Sequence, residues 1–107
     1  MSSIDIVREL QTVLKTGKAV LGHRSAYKAV VNGKAKLLIL ARNAPSDIAE
    51  DLKTYASLAQ VPVYVFNGSS RELGAACNKP FLVSAIAILD PGESNILFLA
   101  QPNQGET

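Results

Sequence analysis

The stretch "LLILARNAPSDIAEDL", residues 37–52, decides the fold of this chain. Its first five residues form an uninterrupted apolar run, which is typical of a strand buried on both faces of a sheet. The strand ends on Arg42 and Asn43, and Pro45 then fits the first turn of a helix. The apolar face of that helix recurs at helical spacing and consists of Ile48, Leu52, Tyr55, Ala56 and Ala59. A buried strand that passes at once into a helix indicates a layered α/β protein.

The same alternation extends over the whole sequence. Helices are predicted over 3–16, 23–33, from 45 onward and over 69–77, and strands over 19–22, 35–41, 61–67 and 81–89. Ser2 with Asp5 and Ser69 with Glu72 fit capping boxes at two helix starts. Residues 95–100 fit either a strand or a last helical turn, and residues 100–107 a polar tail. We therefore predict an α/β fold, a three-layer α/β/α sandwich with a four-stranded mixed sheet, forming one domain over 1–107 with an ordered core of about residues 4–99.

In such a fold, ligands bind at the strand-to-helix loops along one edge of the sheet. The loops in question are "GHRS", "RNAP" and "NGSS", and the end of the chain after Leu89 is expected at the same edge.

The composition excludes several classes of protein. One cysteine and one histidine among 107 residues allow neither a disulfide framework nor a metal cluster. The sequence has no stretch that resembles a signal peptide or a membrane span, so an intracellular soluble protein is expected.

The charges are segregated along the chain. Seven of the eleven basic residues and none of the nine acidic ones lie between Leu10 and Ser46: Lys15, Lys18, Arg24, Lys28, Lys34, Lys36 and Arg42. Such a segment predicts a polyanion-binding face, although a solvated lysine surface explains the charges alone equally well.

Catalytic motifs are weak. "GKAVLGHRS", residues 17–25, resembles a phosphate-binding loop, but His23 stands where the lysine of that loop must be. Cys77 lies among alanines and fits a small core residue. The sequence thus favours neither an enzyme nor a bound cofactor.

Three loops are more informative. Gly22 lets the backbone approach a ligand, and the helix that follows offers free N–H groups beside Arg24 and Lys28. The Asn43 amide can read the edge of a base, or it can close a turn before Pro45. Phe81 can stack on an unpaired base or pack inward as the first core residue of its strand. Together the three loops suit RNA with unpaired bases better than duplex DNA.

Four segments carry a resemblance to a known family: "GHRSAYK", "LLILARNAP", "ELGAA" and "PFLVSAIAILDPGES". They resemble archaeal members of the large-subunit ribosomal protein family "L-thirty-e", within the kink-turn-binding superfamily named after ribosomal protein "L-seven-Ae". The resemblance covers roughly residues 4–99. It implies a structural ribosomal protein that binds a kink-turn in ribosomal RNA. A kink-turn is a bent internal loop closed by sheared G·A pairs, with one nucleotide flipped outward.

The resemblance also implies a set of RNA-contacting residues. Asn43 would address a guanine of the G·A pairs, and Phe81 and Val83 would cover the extruded nucleotide. The full set consists of Gly22, Arg24, Ser25, Lys28, Asn43, Ser70, Arg71, Glu72, Leu73, Phe81 and Val83.

The partners implied are the kink-turn of ribosomal RNA and neighbouring ribosomal proteins, in a cytoplasmic, ribosome-associated protein that is a monomer when free. Binding to its own mRNA stays open. Two alternatives remain: a kink-turn adaptor of a guide-RNA or RNA-processing particle, and a protein-interaction module on the same fold. Relatives that bind guide RNA carry Gly-x-Asn-Glu where this chain has residues 22–25, and Arg24 there favours the ribosomal branch. Asn78 replaces a glycine that is frequent at the end of the fourth helix in this family.

Overall fold

A computed structural model describes residues 6–97 of the chain. The elements are α1 (Ile6–Thr16), β1 (Lys18–Leu21), α2 (His23–Val31), β2 (Leu37–Ala41), α3 (Ser46–Leu58), β3 (Val63–Phe66), α4 (Ser70–Ala76) and β4 (Ala85–Asp90). Their order confirms the predicted alternation. The predicted first turn at residues 3–5, its capping box, the end of the 95–100 segment and the polar tail lie outside the described residues. Ile96 and Leu97 begin a 3₁₀ turn, which favours a helical turn over a strand there.

The four strands form one mixed sheet in the order β1-β4-β2-β3. β2 and β3 are parallel, whereas β4 runs antiparallel to both β1 and β2. β1, β2 and β3 therefore all point the same way, and their carboxyl ends lie at one edge of the sheet. β4 begins at this same edge, because Ala85 pairs with Leu40.

Each face of the sheet carries its own apolar core, which confirms the predicted α/β/α sandwich. All five residues of β2 are buried, and successive side chains enter opposite cores. One core packs against α1 and α4, and includes Leu10, Val13, Leu73, Cys77, Val83, Ile86 and Ile88. The other packs against α2 and α3, and includes Ala26, Ala29, Val30, Leu38, Leu40, Leu52 and Ala56.

Two predictions about β4 were wrong. The strand begins at Ala85, not at residue 81, because residues 81–84 pack along α4 before they reach the sheet. There the Val83 N–H donates to the Ser70 carbonyl at 3.1 Å. Because β4 is antiparallel, the chain after Leu89 also leaves at the opposite edge from the three strand-to-helix loops. The segment that lies with those loops is the one that precedes β4.

Two residues of the predicted apolar face of α3 are exposed. Tyr55 is 37% exposed, and its ring meets that of Tyr27 on α2 edge-to-face at 5.0 Å between centroids. Ala59 is exposed at the end of α3. The two tyrosines form an aromatic contact on the outer side of the α2–α3 layer.

The segment after β4 is held onto α1 by side-chain hydrogen bonds. Glu9 Oε1 accepts from the Ser94 hydroxyl and from the Asn95 N–H, both at 2.8 Å. Thr16 Oγ1 accepts from the Glu93 N–H at 2.9 Å. These bonds place the buried Ile96 side chain in the core beside α1.

Replacing Glu9 should therefore destabilise the fold. We expect Glu9→Ala to lower the free energy of unfolding by about 1–3 kcal/mol, because two donors lose a charged acceptor. Glu9→Gln keeps an acceptor oxygen and should cost less. Glu93→Ala removes the same charge nearby, leaves the backbone donor in place and should change stability little. Urea unfolding of the three variants measures the order of their stabilities. Equal stability of Glu9→Ala and Glu93→Ala would contradict the expected role of Glu9.

Candidate nucleic-acid interface

Four loops meet at the edge of the sheet where β1, β2 and β3 end and β4 begins. We call this the loop edge, and define it by Gly22, Arg42–Asn43, Asn67–Gly68 and 81–84. It contains the three strand-to-helix loops that the sequence analysis singled out. The fourth loop is the segment before β4, and not the end of the chain after Leu89.

Backbone hydrogen bonds join these loops into one rigid surface. The Gly22 N–H donates to the Ala85 carbonyl at 2.8 Å, and the Ala41 N–H donates to the Ser84 carbonyl at 2.8 Å. The Arg42 N–H donates to the Gly68 carbonyl at 2.9 Å. Every loop is thus bonded to an element or loop next to it, so the surface is largely formed before a ligand binds.

The start of α2 is open to a ligand. Gly22 has φ 99° and ψ 151°, a conformation that is accessible essentially to glycine alone. No side chain of residues 6–97 caps the helix, so its first N–H groups keep their capacity to donate. Arg24 and Ser25 lie exposed in this first turn. An uncapped helix start beside a guanidinium is well suited to a phosphate.

Lys28 lies farther from the loop edge than the sequence suggested. It is exposed in the last turn of α2, about 7 Å along the helix axis from its start. There it lines a groove of about 350 Å³ between α2 and α3, together with Arg24 and Asp51. The two basic side chains extend the positive surface from the loop edge down this groove.

Asn43 has a structural contact through its Oδ1 atom, and its NH₂ group has no partner within the described part of the chain. Its Oδ1 accepts from the Ser70 N–H, at the start of α4, at 2.7 Å. This bond assigns the amide orientation, because only the oxygen can accept, and it leaves the NH₂ group available. Beside it, the Arg42 guanidinium donates to Asn67 Oδ1 at 3.2 Å. The Asn43 side chain therefore bonds to the start of α4 and not within the turn before Pro45, where a turn role was predicted, and this bond is compatible with the predicted base-reading role.

The start of α4 carries the predicted capping box. The Glu72 N–H donates to Ser69 Oγ at 3.2 Å, and the Ser69 N–H donates to Glu72 Oε1 at 2.8 Å. The Glu72 carboxylate is thus already engaged within the protein. Arg71 is exposed, whereas Ser70 and Leu73 are buried. Of the four residues implied here, only Arg71 offers an exposed, uncommitted side chain.

The segment before β4 presents Phe81 and buries Val83. Phe81 is 56% exposed, so the alternative that it packs inward is wrong. The Val83 side chain is 1% exposed and packs in the core beside Leu73, so the expectation that it covers a nucleotide needs correction. Val83 instead anchors the segment to the core beside α4. The turn is made by Asn78, whose φ of 60° is the left-handed conformation that asparagine tolerates.

Sequence reasoning missed two residues beside Phe81. Leu82 is 67% exposed, and Lys79 is exposed at the other end of Pro80. With Arg71 they line a shallow cavity of about 300 Å³. Leu82 was missed because residues 81–89 were predicted to form a strand, and the side chains of a strand buried on both faces are not expected to face solvent. The proline that precedes the apolar run was the available signal.

Two titratable groups among residues 6–97 have raised pKa values. A hydrogen bond with Tyr55 raises the pKa of Tyr27, and burial raises the pKa of the Cys77 thiol, which packs in the core as predicted. Within residues 6–97, no group of three histidine, cysteine or carboxylate side chains could hold a metal ion. In the same range, no helix is long and apolar enough to cross a membrane.

Comparison with known proteins identifies relatives over most of the chain. The chain is 53% identical over 94 residues to a large ribosomal subunit protein eL30 of Pyrobaculum neutrophilum, covering 88% of this chain and 93% of that protein. It is 44% identical over 103 residues to the protein of the same name from Methanocaldococcus jannaschii, covering 96% and 94%. A solved structure described as a protein with unknown function from Bacillus halodurans C superposes with a TM-score of 0.77, at 26% identity, over 90% of this chain and 95% of that one. Residues 5–98 match the model of the ribosomal protein L7Ae/L30e/S12e/Gadd45 family, and the chain belongs to that family.

Proposed function

We propose that this chain is a structural protein of the large ribosomal subunit and that its loop edge binds a kink-turn in ribosomal RNA. The relatives at 44–53% identity are named as large ribosomal subunit proteins, which supports the ribosomal assignment. It implies a cytoplasmic, ribosome-associated protein without enzymatic activity. Ribosomal RNA and neighbouring ribosomal proteins are its partners, and it is a monomer when free.

One observation carries the RNA-binding part of the proposal. Three groups of different chemistry converge on the loop edge: the uncapped start of α2 beside Arg24, the free NH₂ group of Asn43 and the exposed ring of Phe81. They suit a phosphate, the edge of a base and an unstacked base, respectively. A bent RNA with sheared pairs and an extruded nucleotide offers all three within one short segment.

The direct test is binding of the purified protein to a short kink-turn RNA. The control is the same RNA with its G·A pairs replaced by Watson–Crick pairs, and both are measured across a salt series. We expect tight binding to the kink-turn alone, with a modest salt slope. Equal and steeply salt-dependent binding to both RNAs would mean that the surface is merely electropositive, and the proposal would be withdrawn.

A second measurement separates the ribosomal role from that of an adaptor in another RNA–protein particle. A ribosomal protein should remain with the large subunit when cell extract is fractionated at high salt. An adaptor should instead appear in lighter particles that contain guide RNA.

Because Phe81 is exposed, its substitution should test RNA binding with little effect on the fold. We expect Phe81→Ala to weaken kink-turn binding by about 1–3 kcal/mol, because one base loses its stacking partner. Stability should stay nearly unchanged, since the ring is 56% exposed. Leu58→Ala, at a side chain 75% exposed at the far end of α3, is the matched control for loss of apolar surface. Equal affinity of the two variants in a titration would remove Phe81 from the interface.

A further inference from the structure

The basic segment of the sequence does not form one surface in the fold. Arg24, Lys28 and Arg42 lie at or near the loop edge, in the part of the chain that follows β1 or β2. The other four basic residues of this segment are all lysines, and they lie at the opposite edge of the sheet, where β1 and β2 begin. We call this second cluster the basic pole, and define it by Lys15, Lys18, Lys34 and Lys36.

The topology brings these four residues together from all three layers. Lys15 is in the last turn of α1, and Lys34 follows the end of α2. Lys18 pairs with Asp90 at the end of β4, and on the other side of β4 the Lys36 N–H donates to the Ile88 carbonyl at 2.7 Å. Lys18 and Lys36 therefore flank β4 about 10 Å apart, which is two interstrand spacings.

The basic pole keeps an excess of positive charge within the described part of the chain. All four side chains are exposed, and among residues 6–97 none is within ion-pair distance of a carboxylate. The carboxylates of the same pole are Asp90 and Glu93, so four positive charges stand against two negative ones. Asp90 Oδ1 already accepts from the Gly92 N–H at 2.9 Å.

Helix ends account for only part of this cluster. α1, α2 and α3 all end at this pole, and a cation near a helix C-terminus is favourable. That explains Lys15, and Lys34 after the end of α2. It does not explain Lys36, which directly precedes β2. Lys18 faces Asp90 across the β1–β4 pair, so one carboxylate offsets part of its charge, and the remaining excess of positive charge is better explained by a ligand.

We propose that the basic pole binds the phosphate backbone of a second RNA segment, so that the protein bridges two RNA elements. Lysine ammonium groups are point charges that take phosphates without reading bases, so a duplex backbone fits them. The two surfaces are separated by the length of β2 and its flanks, about 20 Å, which exceeds a Debye length of about 8 Å at physiological salt. The two surfaces therefore act independently. The bridging function rests on the proposed binding of a kink-turn at the loop edge.

The test keeps the loop edge occupied while the basic pole is probed. The full chain is saturated with unlabelled short kink-turn RNA, and a labelled, non-complementary RNA duplex of 16 base pairs is then titrated in at several salt concentrations. We expect the duplex to bind wild type with a log–log salt slope of about −2 to −4, as two to four phosphate contacts would give. Combined substitution of the four lysines by glutamine should weaken duplex binding about tenfold or more and change kink-turn affinity less than about twofold.

Two controls address charge and position. Replacing the same four lysines by arginine keeps the charge and should keep duplex binding. Lys53→Gln removes one exposed charge from α3, outside the basic pole, and should weaken duplex binding less than Lys36→Gln does. If the fourfold variant does not fold, the pairs K15Q/K18Q and K34Q/K36Q are measured separately.

The outcomes are distinguishable from those that test the kink-turn proposal. Unchanged duplex binding in the glutamine variant, or a parallel loss of duplex and kink-turn affinity, overturns the second surface. Loss of thermal stability in the glutamine variant with unchanged duplex binding also overturns the second surface, because the lysines would then only offset helix dipoles. If wild type fails to discriminate the kink-turn from its control, the loop-edge proposal fails. The duplex titration is then run on the free protein, and loss of binding in the glutamine variant still supports the basic pole.

Discussion

Asn43→Ala should weaken kink-turn binding by about 1–3 kcal/mol, roughly 5- to 150-fold in Kd, because it removes the NH₂ group that we propose addresses a base edge. The same substitution should also destabilise the fold. The Ser70 N–H, at a residue 8% exposed, loses its acceptor, and an unsatisfied buried donor costs about 1–3 kcal/mol. Calorimetric titration with RNA and urea unfolding of the free protein measure the two effects.

Asn43→Asp separates the two roles of this side chain. A carboxylate oxygen can still accept from the Ser70 N–H, so the stability should remain near that of wild type. The NH₂ group is gone and a negative charge is added to the proposed RNA-binding surface, so the affinity should fall at least as far as in Asn43→Ala.

Asn67→Asp is the matched control for Asn43→Asp. It adds the same charge at the same edge and keeps the acceptor for the Arg42 guanidinium. We expect only a modest, salt-dependent loss of affinity from it. If Asn43→Asp bound RNA no more weakly than Asn67→Asp, Asn43 would be a structural residue only.

The second large effect is expected from Gly74→Ala. Replacing a glycine inside an exposed helix by alanine usually stabilises a protein by about 1 kcal/mol. Here a Cβ would lie 2.1 Å from the Phe81 carbonyl oxygen, a backbone atom that no side-chain rotation can move away. We expect instead a loss of stability of about 1–3 kcal/mol or more, as in overpacked cores, with displacement of residues 79–84.

Displacement of that segment also predicts a loss of RNA affinity. Because Phe81 moves with the segment, Gly74→Ala should lose at least as much affinity as Phe81→Ala. Ala75→Gly, at the exposed neighbouring position of the same helix, is the control and should lose about 1 kcal/mol of stability from helix propensity alone. A Gly74→Ala protein more stable than wild type would show that the segment tolerates the methyl group.

The alternation of helices and strands could be predicted from the sequence because each element carries a local signal. β2 is an uninterrupted apolar run, and the Ser69–Glu72 capping box lies where its spacing indicates. Strand order carries no such signal. The position of β4 between β1 and β2, antiparallel to both, depends on tertiary pairing, so the chain after Leu89 was assigned to the wrong edge.

The candidate site could be predicted in part. Gly22 and Asn43 follow strand ends, where α/β proteins expose loops, and the structure places both at the loop edge. Local pattern could not distinguish Phe81 from Val83, because both belong to one apolar run. The packing of that run along α4 exposes Phe81 and buries Val83. The segregation of the charges could be seen in the sequence. Their division between the loop edge and the basic pole follows from the topology alone.

The place of β4 in the sheet also has a consequence for synthesis. β1 and β2 have no hydrogen bonds to each other, and each pairs with a strand that the ribosome makes only after residue 84. A nascent chain that has emerged only to that point exposes β1 without a partner and leaves β2 paired on one side only, with β3, a state prone to aggregation. The loop edge is likewise incomplete, because Ala85 supplies the acceptor that holds Gly22. On the proposed function, RNA binding at the loop edge is therefore coupled to completion of the last strand, and we expect unfinished chains not to compete with finished ones for RNA.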